Sequence, residues 1–582
     1  MKKSRFIAIL LAALMILSIV AACGPDDSGT PARPDPTPGT DPNGDGEVAA
    51  PEEFDWPSEI SIFVGSDQRS PVPAPDTAVG QAIQELTGVT LRVEYLVGQD
   101  IQQKANLMVA GGVFPDLIFG GDSPGIFIAG GALIPLDDLL ESYGQQIKRL
   151  YRPSVWDLVR DQNDDNKIYV LPTNRGSVDN LYPGAGWYIA YDALRQLGYP
   201  TPRTLDDLFD IIEWYVENNP YFDGQPTIGF SMSTEGAFAS GLIFGAARFL
   251  SGFPNDGHLQ VCQETLTAEI VMKSDALRAF LEFGNRLWHA GLMDREMFMQ
   301  PNDEFIAKVT SGRVVAIYAQ RWQIDHAFSA MEQAGLYERT LVAFPIVWEG
   351  ATQEAYRGPF GDNPTQGIAI TTAASDPAGL MRWLNRMAYD DIQKLNSWGI
   401  EGEDYYIDED GNFQRTREMW DNWLNMEHRF MRGISEFNNM MPRRSPGNCP
   451  EYGKFECGNW VNVAFHPDFA YIRYSDFERH ILAMYNATTF TDWFAPAYPQ
   501  RYIAGWAIRQ MAQALDDQSM FQSVDRAEAI GVEWNTKLIQ ADPADFDRLW
   551  EEYQALLRDI PGFAEFAEFA TDVIRRSARF YE

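Results

Sequence analysis

Cationic residues are scarce. Only 46 Lys and Arg stand against 82 Asp and Glu in 582 residues, a formal net charge of -36. So acidic a chain repels phosphate backbones, which excludes nucleic acid as a partner, and it argues against lying on an anionic bilayer. It says nothing about a small ligand. Cysteine is scarce too, with four residues, and there are six histidines. Apart from Cys23, the cysteines are Cys262, Cys449 and Cys457, an odd set that makes a poor disulfide framework. Cys449 and Cys457 close a short loop and stay open as a pair. No histidine joins them at a ligand spacing. H-E-x-x-H and the phosphate-binding G-x-x-x-x-G-K-[ST] are both missing. Beyond residue 22 no apolar run approaches the about 20 residues of a membrane-spanning helix.

The N-terminus carries the first positive signal. Lys2, Lys3 and Arg5 precede an uncharged run over residues 6–22 that ends in Val20, Ala21 and Ala22, just before Cys23. A positive start, an apolar stretch and small residues at the cut form a secretory signal peptide, here residues 1–22. A cysteine in the first mature position is a lipidation site, so Cys23 is expected to carry diacylglycerol and palmitate and to hold the chain at the extracellular face of the cell membrane. Residues 23–57 are dense in Pro, Gly, Asp and Thr with no hydrophobic period, the composition of a disordered tether.

What remains is long enough for two lobes, with 45% hydrophobic and 13% aromatic residues in the whole chain. Residues 60–64 read as a buried strand, 76–86 as a helix closed by Gly88, and 89–96 as a strand with Leu91, Val93 and Tyr95 on one face. Residues 100–110 read as a helix stopped by Gly111 and Gly112, and 116–119 as a third strand. That β-α-β-α-β order predicts a parallel, doubly wound α/β sheet. Such sheets gather ligands at the carboxyl ends of their strands, here the loops 65–69 and 120–124. A second α/β block follows Pro172. Thr204 and Asp207 have the spacing of a capping box, with Leu205, Leu208, Ile211 and Tyr215 forming the helical stripe behind it. Residues 313–318 read as a buried strand, followed by Gln320, Arg321 and Trp322 in an exposed-looking turn.

Two motifs are decoys. Gly121-Asp122-Ser123-Pro124-Gly125 fits the nucleophile elbow G-x-S-x-G, but the oxyanion hole there needs the N–H of the residue after the serine, and Pro124 has none. Ser123 is better read as an N-cap and Pro124 as the first helical residue. Asp41, Asn43, Asp45 and Glu52 have the spacing of a calcium-binding EF-hand loop, yet prolines replace the flanking helices. Calcium is a weak possibility at that loop; otherwise no cofactor and no catalytic residue is expected.

Several further segments resemble a known family. They are Phe114-Pro115-Asp116-Leu117-Ile118-Phe119, Ala132-Leu133-Ile134-Pro135-Leu136-Asp137-Asp138 and Lys167-Ile168-Tyr169-Val170-Leu171-Pro172. Next come Trp187-Tyr188-Ile189-Ala190-Tyr191-Asp192 with residues 199–206, and Gly312-Arg313-Val314-Val315-Ala316-Ile317. Gly367-Ile368-Ala369-Ile370 and Leu395-Asn396-Ser397-Trp398-Gly399 with Asp404-Tyr405-Tyr406 complete the set. In this order they resemble the extracellular solute-binding proteins of family 1, which have the type 2 periplasmic-binding-protein fold. The likeness is to the long Gram-positive branch of carbohydrate-binding lipoproteins of ABC importers.

The resemblance implies two doubly wound α/β lobes joined by crossover hinge strands near Thr173 and Phe344, with a helical C-terminal region. It places residues 58–172 and 346–395 in lobe 1, and 173–345 and 396–582 in lobe 2. It implies capture of a carbohydrate, in the form of an oligosaccharide, by a monomer that delivers it to ABC transporter permease subunits. In relatives, the loop after the third strand and the aromatic after the Gly-Arg-Val-Val strand touch sugar, which carries over to Asp122, Ser123 and Trp322. Asp67, Asn174, Arg175, Arg321, Asp362 and Trp398 complete the expected ligand-binding set. An unpaired Arg321 in the cleft would favour an anionic sugar. Gly120 and Gly121 stand where some relatives place an aromatic. The competing readings are a secreted carbohydrate-active enzyme, and a peptide-binding or sensor subunit on the same fold.

Overall fold

The computed structural model describes residues 55–581 except 69, 99, 122, 164, 174–180, 234–236, 254–256, 358–365, 445–452, 467, 497–500, 504 and 516–518. Trp56, at the end of the expected tether, already belongs to the folded body: its indole N–H donates to the Thr87 carbonyl at 2.8 Å. The signal peptide, Cys23 and the loop with Asp41, Asn43, Asp45 and Glu52 lie outside the described residues.

Strand β1 (Glu59–Asp67) buries Ile60, Ile62, Phe63 and Val64 almost completely. Helix α1 (Ala78–Thr87) begins where the Thr77 side chain accepts from the Gly80 N–H, and it ends at Gly88 in the left-handed conformation, φ 66°. Strand β2 (Thr90–Leu96) lies parallel to β1. Helix α2 (Ile101–Gly111) is capped by the Asp100 carboxylate and stopped by Gly112, φ 62°. Strand β3 (Leu117–Phe119) then pairs parallel with the other edge of β1, followed by helix α3 (Pro124–Ala129). These boundaries fall within a residue or two of the positions expected from the sequence, except that β1 runs three residues past Val64 to Asp67. After β4 (Leu171–Pro172) the chain leaves this sheet.

The second sheet begins with β5 (Ala185–Ala190). Helix α4 (Leu205–Asn218) has the full capping box, with Thr204 and Asp207 exchanging side-chain and backbone bonds. Then follow β6 (Ile228–Ser231), α5 (Asp275–His289), α6 (Asn302–Thr310), β7 (Val314–Gln320), α7 (Arg321–Gln333) and β8 (Leu341–Phe344). The strand order is β8-β5-β7-β6. β7 runs parallel to β6, with Ile317 opposite Ser231, and β5 runs antiparallel to β7 and β8. β9 (Gly367–Ile370) returns to the first sheet between β3 and β4, giving the order β2-β1-β3-β9-β4. Helices α8 (Pro377–Met387) and α9 (Asp390–Trp398) follow.

Near-continuous apolar runs such as residues 314–319 and 341–344 are what a sheet covered on both faces requires. The first sheet alternates: Ile60, Ile62 and Val64 face a core with Trp383 and Met387, while Phe63 and Ile118 face Phe127 and Ile126. The second core is built around Trp187, Phe230, Phe280 and Tyr318. The C-terminal helices α10 (Gly505–Ala514), α11 (Ser519–Gln540), α12 (Phe546–Arg558) and α13 (Phe563–Ala578) join it through Ile508, Val524, Tyr553 and Ile574. The Asn285 amide donates to the carbonyls of Leu538, Ile539 and Ala541, satisfying the end of α11.

One stretch departs from the expected division at residue 395. Ile434, Phe437, Met440 and Met441 pack in the first core, not the second. Buried Asn396 draws them there, its carbonyl accepting from the Ser435 N–H and its side chain from the Phe437 N–H. Among the described residues, no helix is long and apolar enough to cross a membrane.

Candidate ligand-binding site

The carboxyl ends of β1 and β3 meet backbone to backbone. A Cβ added at Gly121, φ 57°, would stand 2.4 Å from the Gly65 carbonyl oxygen, and one at Gly65 would stand 2.9 Å from the Phe119 carbonyl. Side chains cannot enter this junction, which is why glycines fill it where an aromatic platform was a question. The register of β1 against β2 shifts between Val64 and Asp67, so the strand ends on an irregularity. Asp67 is the last residue of β1, opposite Leu96; its side chain lies outside the described ones, and so does Asp122. Ser123 occupies the N-cap position of α3 as expected, but its side chain makes no capping bond and the residue is 1% exposed.

In the second sheet, β6 and β7 end on the same side, at Ser231 and Gln320. Arg321 and Trp322 open α7 directly beyond β7. Successive helical residues point about 100° apart, so these two cannot share a direction. Trp322 is 63% exposed, a flat apolar surface facing solvent at the end of a buried strand. Arg321 turns inward, which corrects the exposed turn expected there. Its Nε donates to Asp325 Oδ1 at 2.6 Å, and its guanidinium lies 3.9 Å from the Tyr182 ring centroid and 4.4 Å from that of Phe328. Burial works against the charge, yet Asp325 and the surrounding phenols and carboxylate hold its pKa above the ordinary arginine value. The unpaired arginine that would have favoured an anionic sugar is therefore not what this residue provides. Neither Asp325 nor the helix that carries it was read from the sequence, although an Arg and an Asp four residues apart have the spacing of a helical ion pair.

At the crossing between sheets, Thr173 N–H donates to the Gln366 carbonyl at 3.2 Å, and Arg443 Nε donates to the Thr173 carbonyl at 2.7 Å. Asn174, Arg175 and Asp362 lie outside the described residues. Trp398 is corrected: it is 1% exposed, donates to the Trp460 carbonyl at 2.9 Å, and packs against Tyr405, Phe413 and the Arg415 guanidinium. A ring enclosed on both faces has none to offer a sugar. Cys262 is half-buried and Cys457 exposed, both as free thiols, and Cys449 lies outside the described residues. Among the described residues, no group of three or more His, Cys, Asp or Glu is arranged to hold a metal ion.

Comparison with known proteins agrees with this architecture. A family described as bacterial extracellular solute-binding protein matches residues 78–398. The fructooligosaccharide ABC transporter substrate-binding protein FusA of Streptococcus pneumoniae serotype 4 is 26% identical over 361 residues, 59% of this chain and 64% of the relative. The chain thus spans just under two thirds of that protein's length. Lipoprotein LipO of Bacillus subtilis strain 168 is 23% identical over 379 residues, 62% of this chain and 70% of LipO. Among solved structures, FusA in complex with kestose superposes with a TM-score of 0.62 at 17% identity, covering 89% of this chain and 99% of that one. The solute-binding protein of Bifidobacterium longum infantis that is described as binding HMO gives 0.62 at 12% identity, covering 90% and 99%. At those identities the structural likeness is one of fold, the two-lobed fold of solute receptors. With more than half of its length matched by the family, this chain belongs to the bacterial extracellular solute-binding proteins.

Proposed function

We propose that this protein is a lipid-anchored receptor that captures an oligosaccharide between two lobes and hands it to the permease of an ABC importer. The observation that carries the reading is Trp322, an indole held 63% exposed at the carboxyl end of β7, on the side where doubly wound sheets place their ligands. An exposed indole suits the apolar face of a sugar ring. The names of the relatives point the same way, since FusA is described as a fructooligosaccharide receptor of an ABC transporter.

Residues 58–172 and 346–395, joined by the stretch around 434–441 that packs in the first core, form one lobe, and the second sheet with the C-terminal helices forms the other. The crossings near Thr173 and Phe344 serve as the hinge. Closure around ligand is favoured because only the closed state touches it from both sides. Lipid on Cys23 and the tether over residues 23–57 keep the receptor beside its permease, as a monomer, and it releases its ligand chemically unchanged. The remaining candidates Asp67, Asp122, Asn174, Arg175 and Asp362 supply planar hydrogen-bonding groups for hydroxyls, in charge-assisted bonds worth about 1.5–3 kcal/mol each.

Thermal-shift screening of the mature protein against mono- and oligosaccharides, uronides and peptides tests this. One saccharide class should raise Tm by several degrees with no product formed, and Trp322→Ala should remove the shift. Stabilisation by peptides alone would overturn the saccharide assignment, and an unchanged shift in the Trp322 variant would overturn the site.

A further inference from the structure

Met299 is 86% exposed, yet the loop that carries it is held unusually firmly. Met293 bridges to Phe230 in parallel, and Asp294 N–H donates to the Phe230 carbonyl at 2.8 Å, so the loop leaves alongside the carboxyl end of β6. There the Asp294 carboxylate accepts from Ser231 Oγ at 2.8 Å, and Gln300 Nε2 reaches the same hydroxyl at 3.2 Å. Lys308 of α6 binds the loop together. Its ammonium lies 3.1 Å from Asp294 Oδ2, 2.6 Å from Glu296 Oε2 and 2.7 Å from Gln300 Oε1. Only 10% of the Lys308 side chain and 5% of that of Asp294 are exposed. Met297 is fully buried beneath. At the far end, Asn302 Oδ1 accepts from the side chain of Gln323, the residue next to Trp322, at 3.3 Å.

A buried lysine with carboxylates and an amide around it is costly to assemble and fixes one geometry for the backbone it joins. Here that geometry leaves Met299 exposed to water beyond the carboxyl end of β6, the end of the sheet at which Trp322 follows β7. The bonds of Asp294, Glu296 and Gln300 to Ser231 and Lys308 tie down the backbone on both sides of Met299. Rigid presentation is what lowers the entropic cost of binding. The thioether is soft and polarizable and adapts to irregular C–H surfaces.

We infer that Met299 is a second ligand contact of the Trp322 site, forming with the indole an apolar ledge that holds successive rings of one saccharide chain, and that Lys308 is the positioning residue of that ledge. The inference rests on the reading of the site as saccharide-binding and deepens it: the preferred ligand has at least two linked units. Trp322 takes one ring and Met299 the next.

Calorimetry with a saccharide series of one to four units, in the class found by screening, tests this. Met299→Ala should weaken tri- and tetrasaccharide binding about tenfold, the effect of roughly two methylene equivalents of buried side chain, with a clearly smaller loss for the monosaccharide. Met299→Leu should restore most of the affinity, and Lys308→Met should reproduce the length-dependent loss. Because Met299 touches little of the core, its alanine variant keeps the wild-type Tm and the readout stays interpretable even if the Lys308 variant unfolds. Equal affinity at every length, or equal loss at every length, overturns the ledge while leaving the receptor reading intact. Unchanged affinity with impaired uptake by cells assigns Met299 to the permease instead and also overturns it. If the wild type binds no saccharide at all, both readings fall together.

Discussion

Replacing Arg321 separates a residue that builds the site from one that touches ligand. Arg321 was expected among the ligand contacts, yet its Nε–Asp325 bond of 2.6 Å and its place between Tyr182 and Phe328 make it a strut under the first turn of α7. Removing it leaves Asp325, 30% exposed at the side chain, without its partner. The charge-assisted bond contributes about 1.5–3 kcal/mol. Each cation–π contact in a partly desolvated setting adds about 0.5–1 kcal/mol. Because these overlap, Arg321→Ala is expected to cost ~3 kcal/mol, the lower end of the range for deleting one member of a buried pair. With unfolding entropies of about 2 cal/mol/K per residue, that lowers Tm by only about 3 °C in a chain of this size. Arg321→Lys keeps the charge but loses the planar stack, and should recover less than half of the loss. A double-mutant cycle with Asp325→Asn, followed by urea unfolding, isolates the coupling between the two side chains. The reasoning is refuted if Arg321→Ala leaves stability unaltered while abolishing ligand affinity, for then the guanidinium meets the ligand directly.

Gly121→Ala forces a Cβ to 2.4 Å from the Gly65 carbonyl at φ 57°, and should destabilise by roughly 2 kcal/mol or more; Gly131→Ala, at φ 64° with open space around it, should cost only about 1 kcal/mol. Equal costs in urea unfolding would mean that the β1–β3 junction is not close-packed. His466 is half-buried beside Trp420, with Nε2 3.0 Å from the Phe413 carbonyl, and partial burial holds its pKa below the ordinary value of 6.5. The unfolded chain therefore binds a proton that the folded protein refuses, so stability should fall as pH drops through 6.5 toward the depressed value and level off below it. His466→Asn should flatten that part of the Tm–pH profile, and an unaltered slope would count against the histidine as its source.

Much of the first lobe was legible because its local and global signals agree. Ile60, Phe63 and Val64 form a buried run, and Gly88 and Gly112 stop helices where a left-handed residue is needed; in the second lobe, Thr204 and Asp207 likewise announce a helix start by spacing alone. The capture of residues 434–441 by the first core was not legible. Asn396 and Phe437 meet across a sequence separation that no local pattern encodes, and Met440 and Met441 read equally well as core of either lobe.

The site shows the same limit at the level of single residues. Tryptophan is large and apolar whether it packs or binds, so Trp322 and Trp398 carried the same expectation, and only the surroundings parted them. Trp398 ends α9 among Tyr405, Phe413 and Arg415, all supplied by chain that follows it. Trp322 stands in the first turn of α7, beside a residue already committed to the interior. Helical geometry makes that commitment informative: once Arg321 is bound to Asp325 one turn on, its neighbour is rotated about 100° away from that anchor. Reading the Arg–Asp spacing first would have identified Arg321 as support and strengthened Trp322 as display. A charged residue four positions before an opposite charge, next to an aromatic at the end of a buried strand, is thus better evidence for that aromatic than for the charge.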